Sequence, residues 1–101
     1  NGLATWQKSG AIAYGFVTGG NTLINSYGVP SFVRNSAGNY TITLSNSPGA
    51  SVTFIGTFWD TNAYGFISYY NIGASNIEVR TRNASGISTD FSFSFAVFSP
   101  N

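Results

Sequence analysis

The sequence predicts an all-β fold, and three observations support that prediction. Stretches in which apolar and polar residues alternate recur roughly every 8–12 residues along the chain. Nearly all of them are separated by glycine, asparagine, serine or aspartate, which suit tight turns. No stretch sustains the 3.6-residue period of an amphipathic helix. We therefore expect an antiparallel β-sandwich, jelly-roll-like in layout, although a small barrel would produce the same spacing.

Two segments show the clearest strand pattern. In Asn39–Ser45 and Asp90–Phe95, every second residue is apolar, so that each segment has one apolar face: Tyr40, Ile42 and Leu44 in the first, Phe91, Phe93 and Phe95 in the second. Such alternation predicts a strand with one face on a core and one in solvent. Further strands are predicted at residues 11–18, 22–27, 31–35, 50–58, 63–71 and 76–83.

The length of 101 residues fits one domain. We expect residues 1–10 to be an N-terminal lead-in and residues 11–101 to form the single β-sandwich domain. Because the sequence has no initiating methionine, we also expect it to be a piece of a longer protein.

Charge is scarce in this sequence. Charged residues make up 7% of the chain, and the formal net charge is +1, whereas a soluble domain typically contains about 25% charged residues. So few cations provide no basic stripe for phosphates, which argues against a nucleic-acid partner. The same scarcity, and the absence of a long apolar run, argue against a membrane surface and against membrane insertion.

Cysteine and histidine are both absent. Disulfides, thiolate nucleophiles, histidine bases and the common zinc sites are therefore excluded. We expect no cofactor, no bound metal and no catalytic residue. The enzyme that needs the fewest catalytic groups is a glycan hydrolase with two carboxylates, and it would have to use two of Asp60, Glu78 and Asp90. Asp60 lies in a predicted turn and Glu78 on the outward face of a predicted strand, so we prefer structural roles for these acids.

Two segments carry more apolar residues than one sandwich core needs. Within residues 51–59 and 63–70, bulky apolar side chains fall on both faces of the predicted strands. A two-sheet sandwich of this size exposes one face of each sheet to solvent. A partner subunit is the simplest cover for the surplus face.

Aromatic residues beside turns predict a sugar-binding site. Flat rings next to amide or carboxylate groups suit glycans, because a ring covers the apolar face of a sugar while polar groups hold its hydroxyls. The alternative is that the rings fill the core or a subunit interface. The candidate residues for glycan binding are Trp59, Asp60, Asn62, Tyr69 and Tyr70.

The stretch Ile24–Leu44 resembles a segment found in C-terminal domains of bacteriophage tail fibres and tailspikes. Those domains read as a tyrosine-rich strand, then a Ser-Val-x-Arg-like element, then Gly-x-Tyr-Thr-Val-Thr-Phe. Residues Ala13–Val17 and Phe91–Phe98 are similar to the flanking strands. The sequence departs from the pattern at Gly28-Val29-Pro30 and at Leu44, and both changes are compatible with the same strands and turns.

The resemblance implies a homotrimeric virion appendage at the distal end of a fibre or spike. Its expected role is non-catalytic: it would hold the trimer together and bind a host receptor such as a bacterial surface polysaccharide. The family has no fixed catalytic motif to transfer. A second hypothesis, which the composition leaves open, is a monomeric carbohydrate-binding module of a secreted bacterial enzyme.

Overall fold

The computed structural model describes residues 11–45, 52–59, 64–73 and 75–99. Within these ranges the chain is all-β and contains no helix, which confirms the predicted fold class. The predicted lead-in, residues 1–10, lies outside them. The strands are β1 (Ala11–Thr18), β2 (Thr22–Tyr27), β3 (Ser31–Ser36), β4 (Asn39–Thr43), β5 (Thr53–Phe58), β6 (Gly65–Asn71), β7 (Asn76–Asn83) and β8 (Phe93–Phe98).

The strands form two antiparallel sheets of four strands each. The first sheet has the order β2-β1-β8-β5 and the second the order β3-β4-β7-β6. Three pairs of sequence neighbours, β1–β2, β3–β4 and β6–β7, are also neighbours in a sheet. The edge strands are therefore β2 and β5 in the first sheet and β3 and β6 in the second.

Apolar side chains from alternate positions fill the space between the sheets. The predicted alternation is confirmed: Tyr40, Ile42 and Leu44 are buried, and so are Phe93 and Phe95. Strand β7 contributes Ile77 and Val79 from its inward positions, while Glu78 between them faces outward. The result is a sandwich-like pair of sheets around one core.

Aromatic rings run through this core from one side to the other. Successive ring centroids lie 5.6, 5.5, 6.2, 5.5 and 5.3 Å apart, within the range of favourable aromatic pairs. The first ring belongs to edge strand β3 and the last two to edge strands β5 and β6, so the series connects three of the four edge strands across the core. In order, the rings are Phe32, Tyr40, Phe93, Phe95, Phe54 and Tyr69.

One carboxylate joins three connections at one end of the sandwich. Asp90, which precedes β8, accepts hydrogen bonds from the Tyr40 hydroxyl and from the Gly38 backbone N–H, the latter at 2.8 Å. The Arg34 guanidinium donates to its other oxygen at 2.8 and 3.0 Å. Gly20, in the β1–β2 turn, packs so closely that a Cβ there would lie 2.7 Å from the Asp90 Cβ. We call this group the Asp90 clasp.

The clasp also explains where a strand prediction was too long. The alternation predicts a strand from Asp90, but β8 begins at Phe93. The Asp90 side chain is engaged with β3, β4 and the turn between them, so its backbone does not join the first sheet. Ser92 also serves a connection, because its hydroxyl accepts from the Gly19 N–H at 2.9 Å.

We expect Asp90→Ala to lower the free energy of unfolding by about 2–3 kcal/mol, because the Tyr40 hydroxyl at zero exposure would lose its charged acceptor. Urea unfolding at a fixed protein concentration measures this change. Ser85→Ala, in the exposed β7–β8 connection, is the control and should change stability by less than about 0.5 kcal/mol. In a cycle with Tyr40→Phe, we expect a coupling of about 1–2 kcal/mol. Additive effects would contradict the role assigned to this bond.

Candidate functional site

Trp59 directly follows β5 at the end of the first sheet. Its ring is 47% exposed, and its backbone N–H donates to the Ser92 carbonyl at 3.1 Å. That bond extends the β5–β8 ladder and fixes the backbone that carries the ring. Trp59 is therefore an accessible aromatic surface on an ordered strand end.

Tyr69 faces the core. Its ring centroid lies 5.3 Å from that of Phe54, and its hydroxyl donates to the Val52 carbonyl at 3.0 Å. These contacts join β6 to the start of β5, where the two sheets meet at one side of the sandwich. The ring is therefore engaged in packing between the sheets.

Tyr70 lies on the opposite face of β6 and is 45% exposed. Its hydroxyl donates to Glu78 Oε1 at 2.8 Å. Arg80 donates to Glu78 Oε2 through Nε and Nη2, both at 2.8 Å, and its guanidinium carbon lies 5.3 Å from the centre of the Tyr70 ring. We call these three residues the Tyr70 cluster. The Tyr70 hydroxyl, both Glu78 oxygens and the Arg80 Nε and Nη2 groups each bond to another member, so the ring is presented in a fixed orientation.

The structure does not bring the described candidate residues into one site. Tyr69 contacts the beginning of β5, whereas Trp59 follows its end. A strand of six residues separates those two points by about 20 Å. Tyr69 and Tyr70 point to opposite faces of their strand. Asp60 and Asn62 lie outside the described residues.

The outer face of the second sheet carries polar side chains that are hydrogen-bonded across strands, together with the exposed Val33 and Phe66. Asn35 donates to the Thr41 hydroxyl at 2.8 Å, and the Thr43 hydroxyl donates to the Asn76 side chain at 3.0 Å. The register places Thr41 opposite Glu78, which extends this polar surface to the Tyr70 cluster. Amide, hydroxyl and guanidinium groups beside an exposed ring are the groups that bind sugar hydroxyls.

The outer face of the first sheet is different, because none of its four strands contains a charged residue. In the second sheet, β3 and β7 together carry one glutamate and three arginines. Five large apolar side chains of the first sheet are 40–59% exposed on the outer face: Tyr14, Phe16, Ile24, Tyr27 and Ile55. Residues 51–59, one of the two segments expected to carry surplus apolar side chains, contribute Ile55 to this face, whereas residues 63–70 expose Phe66 and Tyr70 on the outer face of the second sheet. The other exposed residues of the first sheet come from β1 and β2, where the sequence predicted no surplus.

A shallow groove crosses this apolar face. Its centre is β8, which contributes the small residues Ser94 and Ala96, and its walls are aromatic residues of β1 and Ile55 of β5. The volume of the groove is about 320 Å³. Beside it, the Tyr14 and Tyr27 rings stack with centroids 5.6 Å apart. The face has the shape and polarity of a protein contact surface.

The described carboxylates are held as anions. Hydrogen bonds from Tyr70 and Arg80 lower the pKa of Glu78. Partial burial raises the pKa of Asp90, but the bonds from Arg34, Gly38 and Tyr40 outweigh that effect and hold it below its ordinary value. A glycosidase acid needs the opposite shift, so that it is protonated at working pH.

Among the described residues, no group of three or more acidic, histidine or cysteine side chains is placed to hold a metal ion. No helix within those ranges is long and apolar enough to cross a bilayer.

Sequence reasoning missed the Tyr70 cluster as a unit. The alternation of β7 places Glu78 and Arg80 on one face, which the sequence shows directly. The pairing of Tyr70 with Glu78 depends on the β6–β7 register, and that register follows from folding rather than from a local motif.

No protein-family model, curated protein or solved structure significantly matches this chain.

We expect the unfolding free energy to stay nearly constant from about pH 6 to 9, since the chain contains no histidine or cysteine. Both lowered carboxyl pKa values stabilise the fold above about pH 4, and that stability is lost as the pH falls through the folded values. Burial and the bond to Asp90 raise the pKa of Tyr40 to about 12, so its contribution is lost only as the pH rises towards that value.

Chemical denaturation at a series of pH values measures this profile. Asp90→Asn should flatten the acid side, because its side chain no longer titrates, whereas Ser85→Ala should leave the profile unchanged. An acid slope identical in Asp90→Asn and the native chain would contradict the assignment.

Proposed function

We propose that this chain is a non-catalytic trimerisation and receptor-binding domain, the C-terminal domain of a phage tail fibre or tailspike. It would sit at the distal end of the appendage, with a jelly-roll-like fold, and bind a bacterial surface polysaccharide. The observation that carries the proposal is the outer face of the first sheet, which is apolar and uncharged. The choice of family is supported by the resemblance of Ile24–Leu44 and the flanking strands to C-terminal domains of tail fibres and tailspikes.

Self-association is supported by how the exposed apolar side chains are distributed. Isolated apolar residues on a surface are ordinary, whereas a contiguous patch indicates a contact surface. The register places Tyr14 beside both Tyr27 and Ala96, and Ala96 beside Ile55, so one apolar row crosses all four strands. A second copy of the chain would remove this row from water.

Receptor binding is supported by the outer face of the second sheet, which remains available when the first sheet is covered. There the Tyr70 cluster offers an exposed ring and an ordered guanidinium beside amide and hydroxyl groups. Three copies of a weak site on one trimer would bind a repeating polysaccharide far more firmly than one copy, through effective concentration.

The non-catalytic role is supported by the state of the described acids. Glu78 and Asp90 each pair with an arginine and accept a tyrosine hydroxyl. Neither has the raised pKa of a general acid. The hydrolase alternative would need two of Asp60, Glu78 and Asp90, and therefore at least one of these arginine-bound carboxylates.

A carbohydrate-binding module remains the second candidate, and the Tyr70 cluster favours it because that cluster is complete within one chain. A module of this kind would bind sugar as a monomer. The mass of the purified chain in solution therefore separates the two candidates.

We expect the purified domain to have a mass of about three times 10.7 kDa by light scattering coupled to size exclusion. Ile55→Glu should convert it to monomers, because a charge would lie within the apolar row that the contact buries. Val33→Glu is the matched control, an exposed aliphatic residue on an edge strand of the second sheet, and should leave the trimer intact. A native chain that is monomeric at all concentrations would refute the fibre proposal.

We expect Tyr70→Ala to reduce binding to bacterial surface polysaccharide by at least tenfold while the trimer mass is unchanged, because a stacking ring and its carboxylate contact are lost. Biolayer interferometry against a panel of capsular and lipopolysaccharide preparations measures the loss. Tyr64→Ala, which removes a 72% exposed tyrosine just before the same strand, is the control. Equal binding by Tyr70→Ala and the native trimer would exclude the Tyr70 cluster as the receptor site.

A further inference from the structure

The two open sides of the sandwich differ in how their edge strands are protected. One side is formed by β2 and β3, the other by β5 and β6. An edge strand exposes unpaired backbone groups, and monomeric proteins protect such edges with bulges, charges or proline. Comparing the two sides therefore indicates which one is covered in the assembled protein.

The β2/β3 side carries these protections. The β1–β2 register shifts between Tyr14 and Phe16, and Asn25 in β2 has a φ of 47°, which distorts the edge. The β3–β4 register shifts between Arg34 and Ser36. Arg34 also gives β3 a charged residue. Pro30 directly precedes that strand. Such an edge is poorly suited to pair with another chain.

The β5/β6 side carries none of them within the described strands. The β5–β8 register is continuous from Thr53 to Phe58, and the β6–β7 register is continuous from Gly65 to Asn71. Neither edge strand contains a charged residue or a proline. A regular, apolar and uncharged edge of this kind is a surface that associates unless it is covered.

A groove of about 470 Å³ runs between these two edge strands. It adjoins the groove on the outer face of the first sheet, because Ile55 and Gly56 line both. The lining residues are Phe54, Ile55, Gly56, Ile67, Ser68 and Tyr69. The unprotected edge and the apolar face therefore form one bent surface.

Symmetry requires two different contact surfaces in a trimer. Each copy in a three-fold ring contacts its two neighbours through different patches, since the interface runs head to tail. The outer face of the first sheet supplies one patch. The edge of a sandwich points at a large angle to its faces, so the β5/β6 side is placed to supply the other.

We infer that the β5/β6 edge of one copy receives the outer face of the first sheet of the next copy. This inference rests on the proposed self-association and identifies the second of its two contact surfaces. The stacked Tyr14–Tyr27 pair is the part of that face best suited to the edge groove, with rings 44% and 58% exposed. Their hydroxyls provide donors and acceptors for the unpaired backbone groups of the edge.

Complementation between two variants tests the inference. Ser68 lines the edge groove, so Ser68→Glu places a negative charge at the groove rim, on the side where it lies opposite Arg80. Phe16→Glu blocks the face. Each variant alone should be a 10.7 kDa monomer, and a 1:1 mixture should form a heterodimer of about twice that mass, through the one intact edge and the one intact face. Sedimentation at several concentrations measures the masses.

Val33→Glu places the same charge on the protected edge strand of the second sheet and should remain trimeric. Circular dichroism melting of each variant confirms that it is folded. A trimeric native chain with a trimeric Ser68→Glu variant would overturn the inference and leave the proposed function standing. A mixture that stays monomeric would overturn it as well, while a monomeric native chain would refute the proposed function itself.

Discussion

The Asp90 carboxylate is the polar contact on which the arrangement of the two sheets depends. It lies in the connection that leads back to the first sheet, yet all of its hydrogen-bond donors belong to β3, β4 and the turn between them. Those donors include the hydroxyl of Tyr40, a fully buried residue of the core. The clasp therefore fixes one end of the sandwich, and the chain of aromatic rings extends that order across the core to β6.

The fixed core leaves the two outer faces to differ. The first sheet takes no part in charge pairing within the described residues, and the second sheet contains the Tyr70 cluster and the Arg34 end of the clasp. Because inner and outer residues alternate along every strand, each face was free to acquire its own chemistry without disturbing the core. One face suits association with protein and the other suits polar ligands.

Most of the fold followed from the sequence because its signals are local. Alternation in β4 and β7, and glycine at the β1–β2 and β3–β4 turns, act over a few residues, and the structure agrees with them. The strand order, the Asp90 clasp and the pairing of Tyr70 with Glu78 join residues far apart in the chain. Local patterns carry no information about such pairs, which is why the site was only partly predictable from aromatic residues near turns.

The lack of charge in the first sheet sets the physical conditions under which a contact through it holds. Dissolved salt screens charges, so a contact without any is not weakened by screening as the ionic strength rises. Burial of apolar surface weakens on cooling, so we expect such a contact to loosen at low temperature rather than at moderate salt concentration.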